Sequence, residues 1–519
     1  MTRGVGFIMI SRCADGVVSV IFSILIARML TPDSYGLLST TMGIAGLVTL
    51  VFTLGTSYSV TKFISSHLAA GDGDKIRTTI SATLSLQFVL AIISGIVCFF
   101  ISEPLAKNVF CKPELLFPLR IVSVFIVISA LSNWILALFQ GFHRMEFIAA
   151  ADVVGIIARL IIAVALVWKG YGVAGAVIGF IIGSAVTAAV GTLLSVSSIY
   201  PAIPKRQNKT RISPEIRDSL KYGIPMMTSA AIVLLYEVFS IFMLTAFRTI
   251  NEVSWYTIAF GIINMIMIIP VAMGTSLLPI TSGLHAKKDM SGISVVYRTT
   301  LKLLTYATNF VVFVFIATAA PLILIMFGES YLPAVIPFLI LAAIGFIRPA
   351  SILSESVSAG MGMPMINTKA NLVTACLVII FNIMLVPTFG IIGAAVATSA
   401  AYSCGMCYLI YSVNRLSGTA FPFAYYLKSL SAGAASAILI FLMIKLLISL
   451  DFSFLPFAGT VSLLLSVSAS CLAGACIYLV LLSLMSGFSK HDFQLLSELR
   501  VPFGKTICRI MGKISRLRD

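Results

Sequence analysis

Residues 170–179, GYGVAGAVIG, return 218 positions later as residues 388–397, TFGIIGAAVA. Gly172, Gly175 and Ala176 align with Gly390, Gly393 and Ala394. The likeness extends as a stripe of small residues at helical spacing. Gly175, Gly179 and Gly183 form it in the first copy; Gly393, Ala397, Ala401 and Gly405 form it in the second. Small residues four apart let helix backbones approach closely, a device suited to a bilayer, where no hydrophobic force drives helices together. Two echoes lie within one residue of that offset: Phe22-Ser23-Ile24 with Phe239-Ser240-Ile241, and Gly55-Thr56-Ser57 with Gly274-Thr275-Ser276. Together they read as an internal duplication.

Composition fixes the solvent around these copies. Of 519 residues, 59% are hydrophobic and 10% charged, and the mean hydropathy is +1.07. A soluble domain carries about 25% charged residues, enough to cover its core; this chain does not. The predicted fold is an all-α polytopic membrane protein. Apolar runs long enough to cross ~30 Å as helices fall near 5–28, 36–61, 78–102, 116–139, 147–168, 171–196, 222–247, 253–278, 302–327, 332–357, 367–387, 389–414, 424–449 and 456–485. That makes about fourteen transmembrane helices. They group as an N-terminal six-helix lobe (1–200), a polar linker (201–221), a C-terminal six-helix lobe (222–416), helices 13 and 14 (417–486) and a basic tail (487–519). Six helices per copy make the repeats parallel, an arrangement found in transporters. The first run is expected to be retained, since its internal charges and length do not suit a cleaved signal.

Charge sets the expected orientation. With the N-terminus inside, alternate connections place 25 of the 35 Lys and Arg on the inner side, against five on the outer side. The positive-inside rule then puts both termini in the cytoplasm of a multi-pass cell-membrane protein. It also explains most of the +16 net charge as topology and attraction to anionic lipid headgroups. Basic residues spread over short loops do not suit nucleic acid. Nine cysteines, mostly in apolar runs, read as small buried hydrophobes. Four scattered histidines have no metal-ligand spacing, and no Ser/His/Asp grouping appears. Neither a cofactor nor an enzyme activity is expected.

Several segments resemble one family. IARMLTPDSYGLL (26–38) is similar to the conserved stretch after the first helix of polysaccharide flippases, in the multidrug/oligosaccharidyl-lipid/polysaccharide transporter superfamily. FQGFHRMEFIAAADVVGIIARLI (139–161) resembles that family's turn between the fourth and fifth helices. SLKYGIPMMTSA (219–230) resembles its entry to the seventh helix, and LLPITSGLHAKKD (277–289) its exit from the eighth. The resemblance implies a flippase that carries a lipid-linked oligosaccharide, on a polyprenyl phosphate or pyrophosphate, from the inner to the outer leaflet. It implies alternating access by two rocking lobes, with a coupling proton or sodium ion and polysaccharide-assembly proteins as partners. Family members often carry an Asp in the seventh helix where YEVFSIFML (236–244) offers Glu237 from a neighbouring position.

Charges inside the apolar runs mark the candidate site, because a charge in hydrocarbon costs several kcal/mol unless it faces water or protein. Arg12 and Asp15 lie about 10 and 15 Å along the first helix from Val5 at ~1.5 Å per residue, and share a face. Asp152 and Arg159 share a face of the fifth helix, and Arg348 and Glu355 of the tenth. A phosphate-bearing headgroup favours arginine, whose planar fork binds oxygens in pairs and stays charged. Arg12, Arg159 and Arg348 are therefore the candidate substrate-binding cations. Asp15, Asp152, Glu237 and Glu355 balance charge or couple an ion, and Lys369 is a further cavity candidate. Structural ion pairing is the competing reading for each. Arg120 and Lys445, near helix ends, are expected to snorkel to the interface.

Three other functions compete with this reading. A multidrug or cation antiporter of the same superfamily would usually have twelve helices and an acid-dominated cavity. A peptidoglycan-precursor flippase shares the architecture. A membrane glycosyltransferase or ligase would need acid–base groups on sizeable outer loops, and these loops are short.

Overall fold

The structure is a computed structural model that describes residues 2–203, 212–419, 421–449 and 460–485, with the side chains of residues 2–15 outside the description. Regular structure among the described residues is entirely helical. The long helices are α1 (Thr2–Met29), α2 (Pro32–Phe52), α3 (Thr56–Ala70), α4 (Gly73–Pro104), α5 (Leu116–Gly141), α6 (Met145–Leu166), α7 (Gly172–Leu194) and α8 (Ile212–Phe247). They continue as α9 (Ile250–Ile266), α10 (Ile268–Ala286), α11 (Met290–Ala317), α12 (Ala319–Phe327), α13 (Val335–Gly360), α14 (Met365–Ser417), α15 (Phe423–Ser449) and α16 (Thr460–Leu484).

Two compact units emerge. One comprises residues 1–258 with 375–398; the other comprises 259–374 with 399–519. Helices α9 and α14 each contribute to both. Large apolar side chains lie open on many helices, Phe100, Trp168, Leu193 and Leu472 among them. That is the exterior expected where lipid is the solvent.

Eleven continuous helical stretches among the described residues are long and apolar enough to cross a membrane, three fewer than the fourteen crossings expected. Two of them, 145–199 and 365–417, exceed 50 residues, about 80 Å at 1.5 Å per residue. Each is broken by a glycine. Gly172 sits at φ 52°, ψ −134° and Gly390 at φ 57°, ψ −133°. Only glycine occupies this region comfortably, so the two aligned positions share one unusual backbone. Beyond each break the chain folds back on itself. A Cβ on Gly179 would stand 2.8 Å from the Ala163 Cα, and one on Gly183 would stand 2.6 Å from the Arg159 Cβ. Gly405 meets Thr374 and Ala370 in the same way. The small-residue stripe is thus the seam of each hairpin.

Other matching details recur at the duplication's offset. Asp72 caps α4 by accepting from the Lys75 N–H at 3.0 Å, and Asp289 caps α11 by accepting from the Gly292 N–H at 2.8 Å. Both carboxyls are held below the ordinary value. For Asp72 the main cause is that backbone bond; for Asp289 it is the Ser291 hydroxyl, followed by the Gly292 N–H. Ser23 bonds the Tyr35 hydroxyl at 2.7 Å. Its counterpart Ser240 reaches Tyr256, and Thr398 joins both at 2.9 and 2.8 Å.

Some of the expected runs are interrupted. The run 36–61 divides into α2 and α3, because Leu54 and Gly55 turn through φ 47° and 71°. Glycine is required there on a second count. A Cβ on Gly55 would collide with the Gly223 backbone of α8, and Gly223 in turn could not carry a Cβ beside the Leu54 carbonyl. The runs 253–278 and 302–327 break at Met267 and Thr318.

Candidate functional site

Polar side chains converge within the first unit, where α2, α3, α5 and α6 enclose a cavity of roughly 640 Å³. Thr49 of α2, Thr53 just past its end, Ser57, Tyr58 and Thr61 of α3, Ser129, Asn133 and Gln140 of α5, and Asp152 of α6 form its polar lining, beside apolar residues that include Phe125 and Ile148. The break between α2 and α3 turns the chain at the rim of this space, with Thr53 and Gly55 both on its wall. A second cavity of roughly 210 Å³ lies among α5, α6 and α7 and shares Ser129, Asn133 and Asp152 with the first. Arg159, Ser132, Ser184 and Thr187 complete its polar lining.

Three hydroxyls of this lining are committed as donors to backbone carbonyls, while the buried Thr49 hydroxyl has no partner among the described residues. Thr53 donates to the Leu50 carbonyl, Ser129 to the Ile126 carbonyl, and Thr61 to the Ser57 and Ala137 carbonyls. A hydroxyl that has spent its proton still accepts. Asn133 and Gln140, both exposed on α5, add amide groups that donate and accept. The wall therefore offers many acceptors, a few amide donors and one carboxylate. That set suits a ligand rich in hydroxyl groups.

Arg159 occupies the far end. Its guanidinium donates to the Ser19 hydroxyl at 3.1 Å, and its centre stands 5.2 Å from the Phe22 ring and 5.0 Å from the Phe180 ring. These two rings meet edge to face at 5.1 Å. Aromatic faces attract cations, so the rings orient the guanidinium without neutralising it. Gly183 makes the arrangement possible by admitting α7 to within contact of the Arg159 Cβ.

The remaining candidates are dispersed. Asp152 is half-buried and shares the smaller cavity with Arg159. Glu237 is half-buried on α8 of the first unit. In the second unit Arg348 is half-buried on α13, immediately before Pro349, with its guanidinium 5.7 Å from the ring of buried Tyr402. Glu355 and Lys369 are exposed in that unit. Arg12 and Asp15 lie on α1, with side chains outside the described residues. Asp152 and Arg159 are thus the pair found lining one cavity. The sequence reading missed the hydroxyl and amide wall. Its signal was available: Asn133 and Gln140 are seven apart on one face of a helix with few other polar groups, and an amide in a membrane helix calls for explanation just as a charge does.

Residues 1–285 match the family model described as polysaccharide biosynthesis protein, and the chain belongs to that family. Among its relatives, an uncharacterized membrane protein of Methanocaldococcus jannaschii is 24% identical over 80% of this chain and 84% of its own. The protein named Probable flippase AglR in Haloferax volcanii is 24% identical over 69% of this chain and 72% of its own. Two solved structures share the fold. The lipid II flippase MurJ in an inward closed conformation superposes with a TM-score of 0.71 at 17% identity, over 92% of this chain and 97% of that one. An inward-facing multidrug resistance MATE family transporter gives 0.64 at 15% identity, over 79% and 99%.

Proposed function

We propose that this protein flips a lipid-linked oligosaccharide, borne on a polyprenyl phosphate or pyrophosphate, from the inner to the outer leaflet of the cytoplasmic membrane by alternating access, for surface polysaccharide biosynthesis. The observation that carries the reading is the set of hydroxyls and amides that the 640 Å³ cavity gathers beside Leu50, Phe125, Leu136 and Ile148. Such a wall is costly inside a membrane protein unless polar partners meet it. A sugar headgroup brings the hydroxyls that would. The family description and the flippase names of a relative and of a structural neighbour support the same reading.

In this proposal the chain crosses the membrane fourteen times with both termini in the cytoplasm, as two repeated lobes followed by two further helices. Arg12, Arg159 and Arg348 bind the phosphate group. Asp15, Asp152, Glu237 and Glu355 balance those cations or carry a coupling proton or sodium ion, and Lys369 contributes to the inner approach. The likeness to a multidrug transporter favours one alternative, export of a cationic drug. The same lining carries Asp152, Tyr58 and Phe125, the groups a drug cation would use, and the hydroxyls and amides that outnumber them favour the sugar.

The test is headgroup translocation in proteoliposomes, comparing the wild type with Arg159→Ala and Arg159→Lys at matched folded protein. Loss of flipping in Arg159→Ala, partial activity in Arg159→Lys and unchanged unfolding temperatures support phosphate contact. Persistent flipping with lowered stability in both variants makes Arg159 a structural residue. Failure of the wild type to move lipid-linked sugars while exporting cationic dyes would replace the flippase reading with the drug reading.

A further inference from the structure

The opposite side of α5 borders a concavity with different chemistry. Ile96, Phe99 and Phe100 of α4 and Val124, Val127 and Ile128 of α5 line a groove of roughly 350 Å³. Gly95 forms its floor, where a Cβ would stand 2.5 Å from the Val127 methyl and 3.1 Å from the Ser123 carbonyl oxygen. Ser123, the polar side chain in the lining, donates to the Arg120 carbonyl at 2.6 Å. Its hydroxyl proton is already used. The groove offers little to a sugar or an ion and a great deal of dispersion contact to an aliphatic chain.

One end of this groove is charged. Arg120 lies one turn before Ser123, and its guanidinium stands 5.4 Å from the ring of Phe99, which lines the groove. It also contacts Glu103 at 3.3 Å, and Glu103 in turn pairs with Lys107 at 2.7 Å. Two cations thus share one carboxylate. Lys112 and Glu114 in the same connection cancel, so a single positive charge remains in excess. Arg120 and Lys107 keep 42% and 51% of their side chains open, so both retain donors for another anion.

We infer that this groove seats one acyl chain of an anionic phospholipid whose phosphate meets the open sides of Arg120 and Lys107, beside the carboxylate they share. The apolar length fixes the chain, and the surplus cation selects the headgroup. A long polyprenyl tail would overrun so short a groove. A free phosphate would gain nothing from the rings and methyl groups. The inference is independent of what the protein transports.

The test is native mass spectrometry of the detergent-purified, delipidated full chain titrated with phosphatidylglycerol or with phosphatidylcholine of the same acyl length. The expected result is retention of phosphatidylglycerol over phosphatidylcholine, undiminished by inorganic phosphate. Each of Arg120→Gln and Lys107→Gln should weaken phosphatidylglycerol binding about fivefold, the factor for losing one cation near a lipid surface. Val124→Trp, at an open position in the groove, should weaken both lipids. Lys107 lies in the exposed connection, so its variant decides the charge question even if Arg120→Gln fails to fold. Equal retention of the two lipids by the wild type would overturn the assignment. So would wild-type binding in folded Lys107→Gln and Val124→Trp.

Discussion

Helix α5 carries two opposed environments within about four turns. One face presents Ser129, Asn133 and Gln140 to a polar cavity; the other presents Val124, Val127 and Ile128 to an apolar groove. All these residues belong to one membrane-spanning helix, and exposure means something different on each face. A bare valine in hydrocarbon costs nothing, whereas an exposed asparagine at that depth needs water or a ligand. In a chain this apolar, the polar residues on a helix face report on function more directly than the pattern of exposure does.

Variants of the polar face should carry the largest effects. Arg159→Ala should lower translocation by roughly tenfold or more, the loss expected for a hydrogen bond to a charged partner, with Arg159→Lys intermediate. Asn133→Leu and Gln140→Leu should each slow sugar translocation by roughly two- to tenfold, the range for one neutral hydrogen bond, leaving the unfolding temperature near wild type. The same assay applied to Val124→Trp on the opposite face should give wild-type rates. Equal losses on both faces would erase the contrast.

Backbone variants probe the frame that holds the two faces apart. Gly183→Val should destabilise the protein by about 1–3 kcal/mol, because the added side chain must displace Arg159 or push α7 from α6. Gly172→Ala and Gly390→Ala should each cost about 1–3 kcal/mol in strain, with Gly390→Ala the more costly, because its Cβ would also press on the Arg248 guanidinium and the Glu252 carboxylate whereas a Cβ at 172 meets open space. Thermal unfolding in detergent measures all three. A larger loss in Gly172→Ala than in Gly390→Ala would contradict this account of the two breaks.

The smallest effect concerns pH. Asp72 has its carboxyl held below the ordinary value of 3.8 by the Lys75 N–H. Its folded-state value is depressed, so its contribution is complete above 3.8 and is lost as pH falls through the lower folded value. Asp72→Ala should therefore unfold slightly earlier than wild type near neutrality, and the difference should vanish in strong acid. A difference that grows on acidification would contradict the cap.

Much of this architecture was legible because its causes are local. The aligned motifs at Gly172 and Gly390 marked the duplication, though not the backbone break at each, and Thr31-Pro32-Asp33 has the residue types of a helix start. The Thr31 hydroxyl does accept from Ser34, at 3.3 Å. The interruption at Leu54 and Gly55 was not legible, because its reason lies 168 positions away in the close approach of Gly223. The candidate site was half legible. Charges stood out against an apolar background, and Asp152 and Arg159 do line one cavity. The hydroxyl wall was hidden, since Ser and Thr are ordinary in membrane helices and usually bond their own backbone. Only the packing of α2, α3, α5 and α6 brings theirs to a common surface.

The central claim is that the polar face of α5 meets the sugar headgroup. Its most direct test places a cysteine at position 133, with one at position 124 as the reference, in a chain whose native cysteines are replaced by serine or alanine. Maleimide labelling is then followed in proteoliposomes with added lipid-linked oligosaccharide or with polyprenyl phosphate lacking sugar. The account predicts that the oligosaccharide protects position 133, that the bare carrier does not, and that position 124 is protected by neither. Labelling at 133 that is indifferent to the sugar, with translocation intact, would contradict it.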